Sequence, residues 1–169
     1  MPATKPFDPH GLSVIQLLGV YASILDELRA RGAIRSSNNP LSDYAERLFC
    51  RAFGWTLNTN STTGYDAADQ RGTRFEIKAR RLTRHNGSRQ LSAIRNLEAR
   101  HFDHLAAVLM NEDFSILLAA IIPHEVVVAR ASFVKHTNSS KFMLVDQVWQ
   151  CDGVRDVTAA MRDAVAAAG

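Results

Sequence analysis

Asp66, Glu76 and Lys78 are the residues whose types and spacing point most directly to chemistry. They lie in the stretch Gly-Tyr-Asp-Ala-Ala-Asp-Gln-Arg-Gly-Thr-Arg-Phe-Glu-Ile-Lys-Ala-Arg-Arg, from Gly64 to Arg81, which predicts a β-hairpin. One arm is Tyr65–Asp69 and the other Thr73–Lys78. Gln70-Arg71-Gly72 fits a three-residue loop with Gly72 at the left-handed closing position. That loop length sets the register. If Asp69 pairs with Thr73, Asp66 lies opposite Glu76, with Cβ atoms about 5 Å apart. Lys78 shares their face, roughly 7 Å along the strand from Glu76. Two facing carboxylates repel by roughly 3 kcal/mol at an effective dielectric of ~20. Lys78 offsets part of this. A hard cation such as Mg²⁺ offsets more, because it takes one or two carboxylates together with phosphate and water. An ammonium group beside such an ion is placed to stabilise charge on an attacking water or a phosphate oxygen, as metal-assisted phosphodiester hydrolysis requires.

The segment around these residues is basic. Residues 71–100 hold nine Lys and Arg against Glu76 and Glu98, a balance of +7, whereas the whole chain carries only +3. A basic block beside an acidic pair suits a phosphate-backbone partner. A solvated basic face is the plainer reading of the same charges.

Asp66 with Glu76-Ile77-Lys78 resembles the signature of the PD-(D/E)xK nuclease superfamily, the restriction-endonuclease-like fold. The resemblance spans about Asn39 to Ile122. Tyr65 stands where the motif name has Pro, a position that varies in the superfamily. The Asn-Asn-Pro-Leu-Ser-Asp-Tyr-Ala-Glu run and the Gly-Tyr-Asp segment are also similar to small bacterial proteins of this type. The resemblance implies an α/β domain with a mixed sheet flanked by helices and a Mg²⁺- or Mn²⁺-dependent endonuclease activity on DNA. Asp66 and Glu76 would ligate the metal, with the Ile77 carbonyl as third ligand. Lys78 would orient or activate the water. Glu46, on the helix before the sheet, would assist; an exposed glutamate pairing with Arg47 or Arg51 fits it equally well. Arg80, Arg81, Arg84 and Arg89 would grip phosphates, and Gln90 resembles substrate-contacting glutamines of some relatives.

The elements that must position these groups follow from periodicity. Ser13 caps a helix running to about Arg31 that reads as packing, either over the sheet or against a second copy. Asn39-Pro40 starts a helix that Gly54 ends, with Leu41, Ala45, Leu48, Phe49, Ala52 and Phe53 buried. Trp55–Asn60 predicts a short strand and residues 61–64 a turn. Phe75 and Ile77 alternate with Glu76 and Lys78, so they point into the core. A polar loop, 83–88, leads to a predicted helix Leu91–Arg100 with Arg95 and Glu98 outward. Leu105–Met110 and Phe114–Ile122 read as central strands buried on both faces. Pro123 opens a helix to Ala131. Asn138-Ser139-Ser140 reads as a turn, Phe142–Trp149 as a strand, and Arg155–Ala168 as the last helix, burying Val157, Met161, Ala164 and Val165. The resulting organisation is a loose tail (1–12), a helix and linker (13–38) and a nuclease-like core (39–169).

Composition limits the alternatives. A chain of 169 residues is long enough for one domain with a proper core. No apolar run approaches a membrane span, and the Pro-rich start, Met1–His10, is unlike a secretory signal. Cys50 and Cys151 have no metal-ligand spacing, which suggests a reducing cytoplasm without disulfides. His101-x-x-His104 lacks the further ligands that a zinc site needs. Two other classes stay open: a nucleic-acid-binding module of the same fold that does not cut, and a regulatory protein-interaction domain whose first helix is the partner surface. Double-strand cutting needs two sites and so suggests a homodimer.

Overall fold

The two long apolar runs form the centre of the molecule. In the computed structural model, which describes residues 7–58 and 64–167, they are strands β5 (His104–Met110) and β6 (Ile116–Pro123). Every residue from Leu105 to Met110 is fully buried. Such runs bury both strand faces at roughly 1.5–3 kcal/mol per large side chain. They pair antiparallel through a turn at Asn111–Ser115, where Phe114 takes a left-handed φ of 66°.

β3 (Arg74–Arg81) lies parallel to β5, with Glu76 beside Leu105 and Lys78 beside Ala107. On its other edge β3 pairs antiparallel with β2 (Ala67–Ala68), and β2 with β1 (Thr56–Leu57). The edge strand β9 (Arg155–Asp156) pairs with β6, giving a mixed six-stranded sheet in the order β1-β2-β3-β5-β6-β9. A mixed α/β architecture is therefore as expected.

The strand alternation separates two cores. Phe75, Ile77, Ala79, Ala106, Val108, Ala119 and Ile121 point to one face, where helices α2 (Leu41–Phe53) and α4 (Thr158–Ala166) cover them. Trp55 stacks on Phe75 there at 3.7 Å between ring centres. Thr158 ties α4 to the sheet by accepting from the Ala119 N–H at 2.9 Å. Leu105, Ala107, Leu109, Ala120 and Ile122 point to the other face, against Leu91, Ile94, Leu97, Phe142 and Leu144. Helix α3 (His124–Arg130), which Pro123 opens, adds Val127 to that face.

Several expectations fail, most of them on this second face. The segment 91–100 is not a helix. It runs extended along the later chain, with the Leu91 N–H donating to the Phe142 carbonyl and the Leu144 N–H to the Arg89 carbonyl. It then forms β4 (Ile94–Arg95) and a 3₁₀ turn at Leu97–Ala99. Asn96 and Arg100 take left-handed φ values of 48° and 49°, which no α-helix allows. Ser139 and Ser140 are not a turn: Ser139–Lys141 is strand β8, paired with β4 and with β7 (Ser132–Val134) in a small sheet. Residues 142–149 are not a strand but an irregular stretch leading into a 3₁₀ helix, Asp146–Gln150. The last helix begins at Thr158 rather than Arg155, because Arg155–Asp156 is taken by β9.

These elements belong to one of two compact units, Leu41–Gly169; the other is Met1–Pro40. The smaller unit holds α1 (Val14–Ala30), started by a reciprocal capping box between Ser13 and Gln16 and followed by Gly32 at φ 68°. The expected loose tail falls partly on residues 1–6, and the expected strand end and turn on 59–63; both lie outside the described residues. No helix among the described residues is long and apolar enough to cross a membrane. Cys50 and Cys151 are free thiols.

Arg74 and Asp103 lock the starts of β3 and β5 together. Asp103 accepts from the Arg74 backbone N–H at 2.9 Å and from its guanidinium at 2.9 and 3.1 Å, and the Asp103 N–H donates to the Arg74 carbonyl. The guanidinium hydrogen bond holds the Asp103 carboxyl at about 2, against an ordinary 3.8. A depressed carboxyl contributes stability above its unfolded value and loses it as pH falls toward the folded value. The pair is about one-third exposed, so screening reduces this to about 1 kcal/mol. Asp103→Asn should cost about that much in urea unfolding at pH 7, with the difference from wild type shrinking between pH 4 and pH 2. A difference that does not change with pH would show that the charge contributes nothing.

Candidate active site

The hairpin has the register that its loop length predicts. The Asp69 N–H donates to the Thr73 carbonyl, Ala67 faces Phe75, and Gly72 has φ 81°. The Asp69 carboxylate closes the loop by accepting from the Arg71 and Thr73 N–H groups at 2.9 Å each. The first arm is shorter than expected, because β2 begins only at Ala67. The backbone of β3 still points its odd-numbered groups toward β2: the Phe75 carbonyl accepts from the Asp66 N–H at 2.8 Å. Ile77 comes next on that edge, where β2 has ended. Its N–H is taken by the Asp66 side chain, with Oδ2 at 2.6 Å. The Asp66 carboxylate thus replaces a missing strand and is fixed at the edge of β3. Within one extended residue N–H and C=O leave the same edge, so the Ile77 carbonyl projects toward the Asp66 side.

Glu76 and Lys78 leave the face opposite α2, with side chains 15% and 16% exposed and Lys78 Nζ 2.5 Å from Glu76 Oε1. Burial raises the Glu76 carboxyl above the usual range, and repulsion from Asp66 raises it further; Lys78 and, more weakly, His101 oppose both. Asp66, Glu76 and Lys78 are therefore brought together as one electrostatic unit. A cleft of about 550 Å³ opens over Glu76 and Lys78, walled by the 92–96 segment and by Gly64 and His101. Asp66 does not line it and acts on it through Glu76.

Glu46 does not line the cleft either. It is half-buried on α2, the helix packed against the Phe75–Ile77–Ala79 face. His101 and His104 separate: His101 faces Glu76, whereas His104 stacks on Phe75 at 5.8 Å. They form no pair, and no cluster of three or more His, Cys, Asp or Glu able to hold a metal occurs among the described residues. Any ion at Asp66 and Glu76 would need main-chain, water or phosphate oxygens as well.

The arginines also divide. Arg80 shares the Glu76 and Lys78 face by alternation, and its Nε donates to the Ser88 carbonyl at 3.1 Å. Arg81 points the other way, with its guanidinium 4.5 Å from the Phe114 ring centre. Arg84 faces Glu112 at 3.4 Å, and Arg89 holds Asp146 at 2.5 Å. Gln90 forms an isolated bridge with Met143. Arg95, expected outward on a helix, instead lines the cleft with Ser92 and Asn96. These residues and His101 were missed because they reach the site only through the non-helical path of 91–100. The one local signal was Asn96, a residue type that accepts left-handed backbone.

No family model matches the chain, and no curated protein matches it. The nuclease resemblance rests on the residues described above.

Two outcomes check this site. A Cβ at Gly64 would lie 2.7 Å from His101 Cβ, at a backbone φ of 74°. Gly64→Ala should cost about 2–3 kcal/mol in urea unfolding, combining left-handed strain and overpacking. His101→Gly should relieve about 1 kcal/mol of that cost in the double variant, whereas strictly additive effects would rule out the contact. For the carboxylates, Lys78→Met should move the Glu76 titration further up and Asp66→Asn should move it down, read by carboxyl-carbon NMR. Shifts in one common direction would mean that the groups do not act on each other as described.

Proposed function

We propose that this protein is a divalent-cation-dependent nuclease of restriction-endonuclease-like type, acting in the cytoplasm and hydrolysing phosphodiester bonds in DNA. The observation that carries this reading is the convergence of Asp66, Glu76 and Lys78 at the point where β2 ends, under a cleft with a basic wall. The mixed sheet with α2 on one face agrees with the architecture that the resemblance implies.

The donor set fits a hard cation. Asp66 and Glu76 offer carboxylate oxygens and Ile77 a carbonyl on the same edge, which suits Mg²⁺ or Mn²⁺ with water and phosphate completing the shell. When bound, the ion would supply Lewis-acid polarisation of the phosphate and a more acidic water. Burial of Glu76 beside Asp66 leaves an unfavourable pair that a cation relieves better than Lys78 alone. Lys78 would then turn from Glu76 toward the water or the phosphate oxygen, where its charge counts most in the transition state. Arg95 and Arg80 would hold the backbone in the cleft without reading sequence.

A second reading has its own support. The Lys78–Glu76 contact at 2.5 Å already neutralises the acid, which a module that binds without cutting could retain. Incubation with plasmid, single-stranded DNA or RNA, in Mg²⁺, Mn²⁺ or chelator, separates the two. The nuclease should cut DNA only with the metal. Glu76→Ala should abolish cutting but not binding, and Lys78→Met should slow it by about 10²–10³-fold. Affinity should fall as salt rises. Salt-sensitive binding without cleavage under any metal would leave only the binding module, and no salt-sensitive affinity for any nucleic acid would defeat both readings.

A further inference from the structure

Helix α1 carries an apolar seam that the smaller unit leaves in water. No charged residue occurs from Gly11 to Leu25. Within that run Val14, Ile15, Leu17, Leu18, Tyr21 and Ile24 are between 38% and 74% exposed. Isolated helices of this length are marginal in water, and most helical stability comes from packing an apolar face. A soluble chain rarely leaves such a contiguous patch without a partner.

The spacing indicates what kind of partner. Val14, Leu17, Tyr21, Ile24 and Leu28 recur at intervals of three, four, three and four residues. That is the a/d seam of a coiled coil, narrower than the broad stripe by which a helix usually packs on a globular core. Leu18 and the already buried Leu25 flank it, and Leu28 is half-buried, so the exposed part of the seam is Val14 to Ile24. The charges agree: Arg29 pairs with Asp26 and Arg31 with Glu27 within the helix itself. The end of the helix is thus electrically balanced. Two copies side by side meet no like-charge repulsion, and no unpaired charge selects an acidic or basic partner. Ile15 lies off this arc; if a fully exposed large side chain offers roughly 150–200 Å², the other five residues present about 450 Å² per copy. Two copies reach about 900 Å², the size of a weak, transient interface.

We infer that α1 is a dimerisation helix, pairing along this seam with α1 of a second copy of the same chain. The seam is little more than two heptads long, so the dimer should dissociate in the micromolar range, about 1–100 µM. In a parallel, in-register pair the two Tyr21 side chains meet in one layer; in an antiparallel pair Tyr21 of one copy faces Leu17 or Ile24 of the other. The inference uses no residue of the candidate active site and stands whether or not the protein cuts DNA.

Sedimentation equilibrium of the full chain from about 1 to 200 µM tests it, without nucleic acid. Wild type should pass from monomer to dimer in that range. Leu17→Glu with Ile24→Glu should weaken association by at least about 100-fold, with cleavage or binding by the monomer measured separately. Tyr21→Cys, in a chain with Cys50 and Cys151 changed to Ser, should form a covalent dimer on mild oxidation, alone if the helices are parallel, or mixed with a Leu17→Cys or Ile24→Cys chain of the same background if they are antiparallel. This second variant decides the matter if the glutamate variant does not fold. A monomer throughout, a dimer indifferent to the glutamates, or no crosslink in any of these mixtures would overturn the inference. Flotation of a solution monomer with phosphatidylcholine–phosphatidylserine vesicles would assign the seam to a lipid surface instead and equally overturn it.

Discussion

The hydrogen bond from the Ile77 N–H to the Asp66 carboxylate is the constraint on which the site depends. β2 begins only at Ala67, and on the near side of that residue the edge of β3 needs an acceptor. A buried N–H left without one costs about 1–3 kcal/mol. Asp66 meets that need with a charged oxygen, so its position is set by backbone chemistry rather than by a flexible rotamer. The same short arm opens the edge through which the Ile77 carbonyl projects. Positioning of the acid and opening of the edge thus follow from one event, the late start of a strand.

Holding Glu76 opposite an anchored anion is unfavourable, and the rest of the core makes it tolerable. The β5–β6 pair is buried on both faces and fixes β3 through a seven-residue parallel register. Arg74 and Asp103 pin its entry. Lys78, packed beside Glu76 and itself mostly buried, supplies the nearest compensating charge. A side-chain network of this kind is costly when half satisfied. Its location at the mouth of a cleft, rather than deep in either core, leaves room for a ligand to complete it.

Legibility in the sequence followed the range of the interactions. The hairpin register was readable because three residues, Gln70-Arg71-Gly72, determine it locally. The central strands were readable from unbroken apolar runs, and α1 and α2 from their caps and spacing. The 91–100 segment was not. Leu91, Ile94 and Leu97 are spaced by three, which fits a helix face, yet all three reach the second core from an extended path and a 3₁₀ turn. What decides between these paths is a non-local contact: β4 pairs with Ser139–Ser140, residues that resemble turn material on their own. Tertiary pairing overrides local preference at such places. The misreading carried Arg95, Asn96 and His101 with it, so the acids of the site were legible while its opposite wall was not.

The arginines after β3 show why charge composition alone describes this surface incompletely. Residues 71–100 carry a large positive balance, but much of it is already engaged. Arg74 serves Asp103, Arg89 serves Asp146, Arg84 faces Glu112, and Arg81 lies over Phe114. All three carboxylates, Asp103, Glu112 and Asp146, lie outside the basic block and draw its positive charge toward the rest of the chain. A polyanion approaching the cleft would meet Lys78, Arg80 and Arg95 on or beside its wall, while the engaged arginines contribute through the longer-range field. Exposed ion pairs such as Arg84 with Glu112 are worth little in water, so exchanging them for phosphate costs little. The half-buried Lys78–Glu76 contact is different in kind: the lower local dielectric strengthens the mutual attraction, and any ligand that displaces Lys78 must replace its charge at Glu76. On the proposed nuclease reading, that asymmetry would make the acidic pair, rather than the arginine count, the selective element of the site.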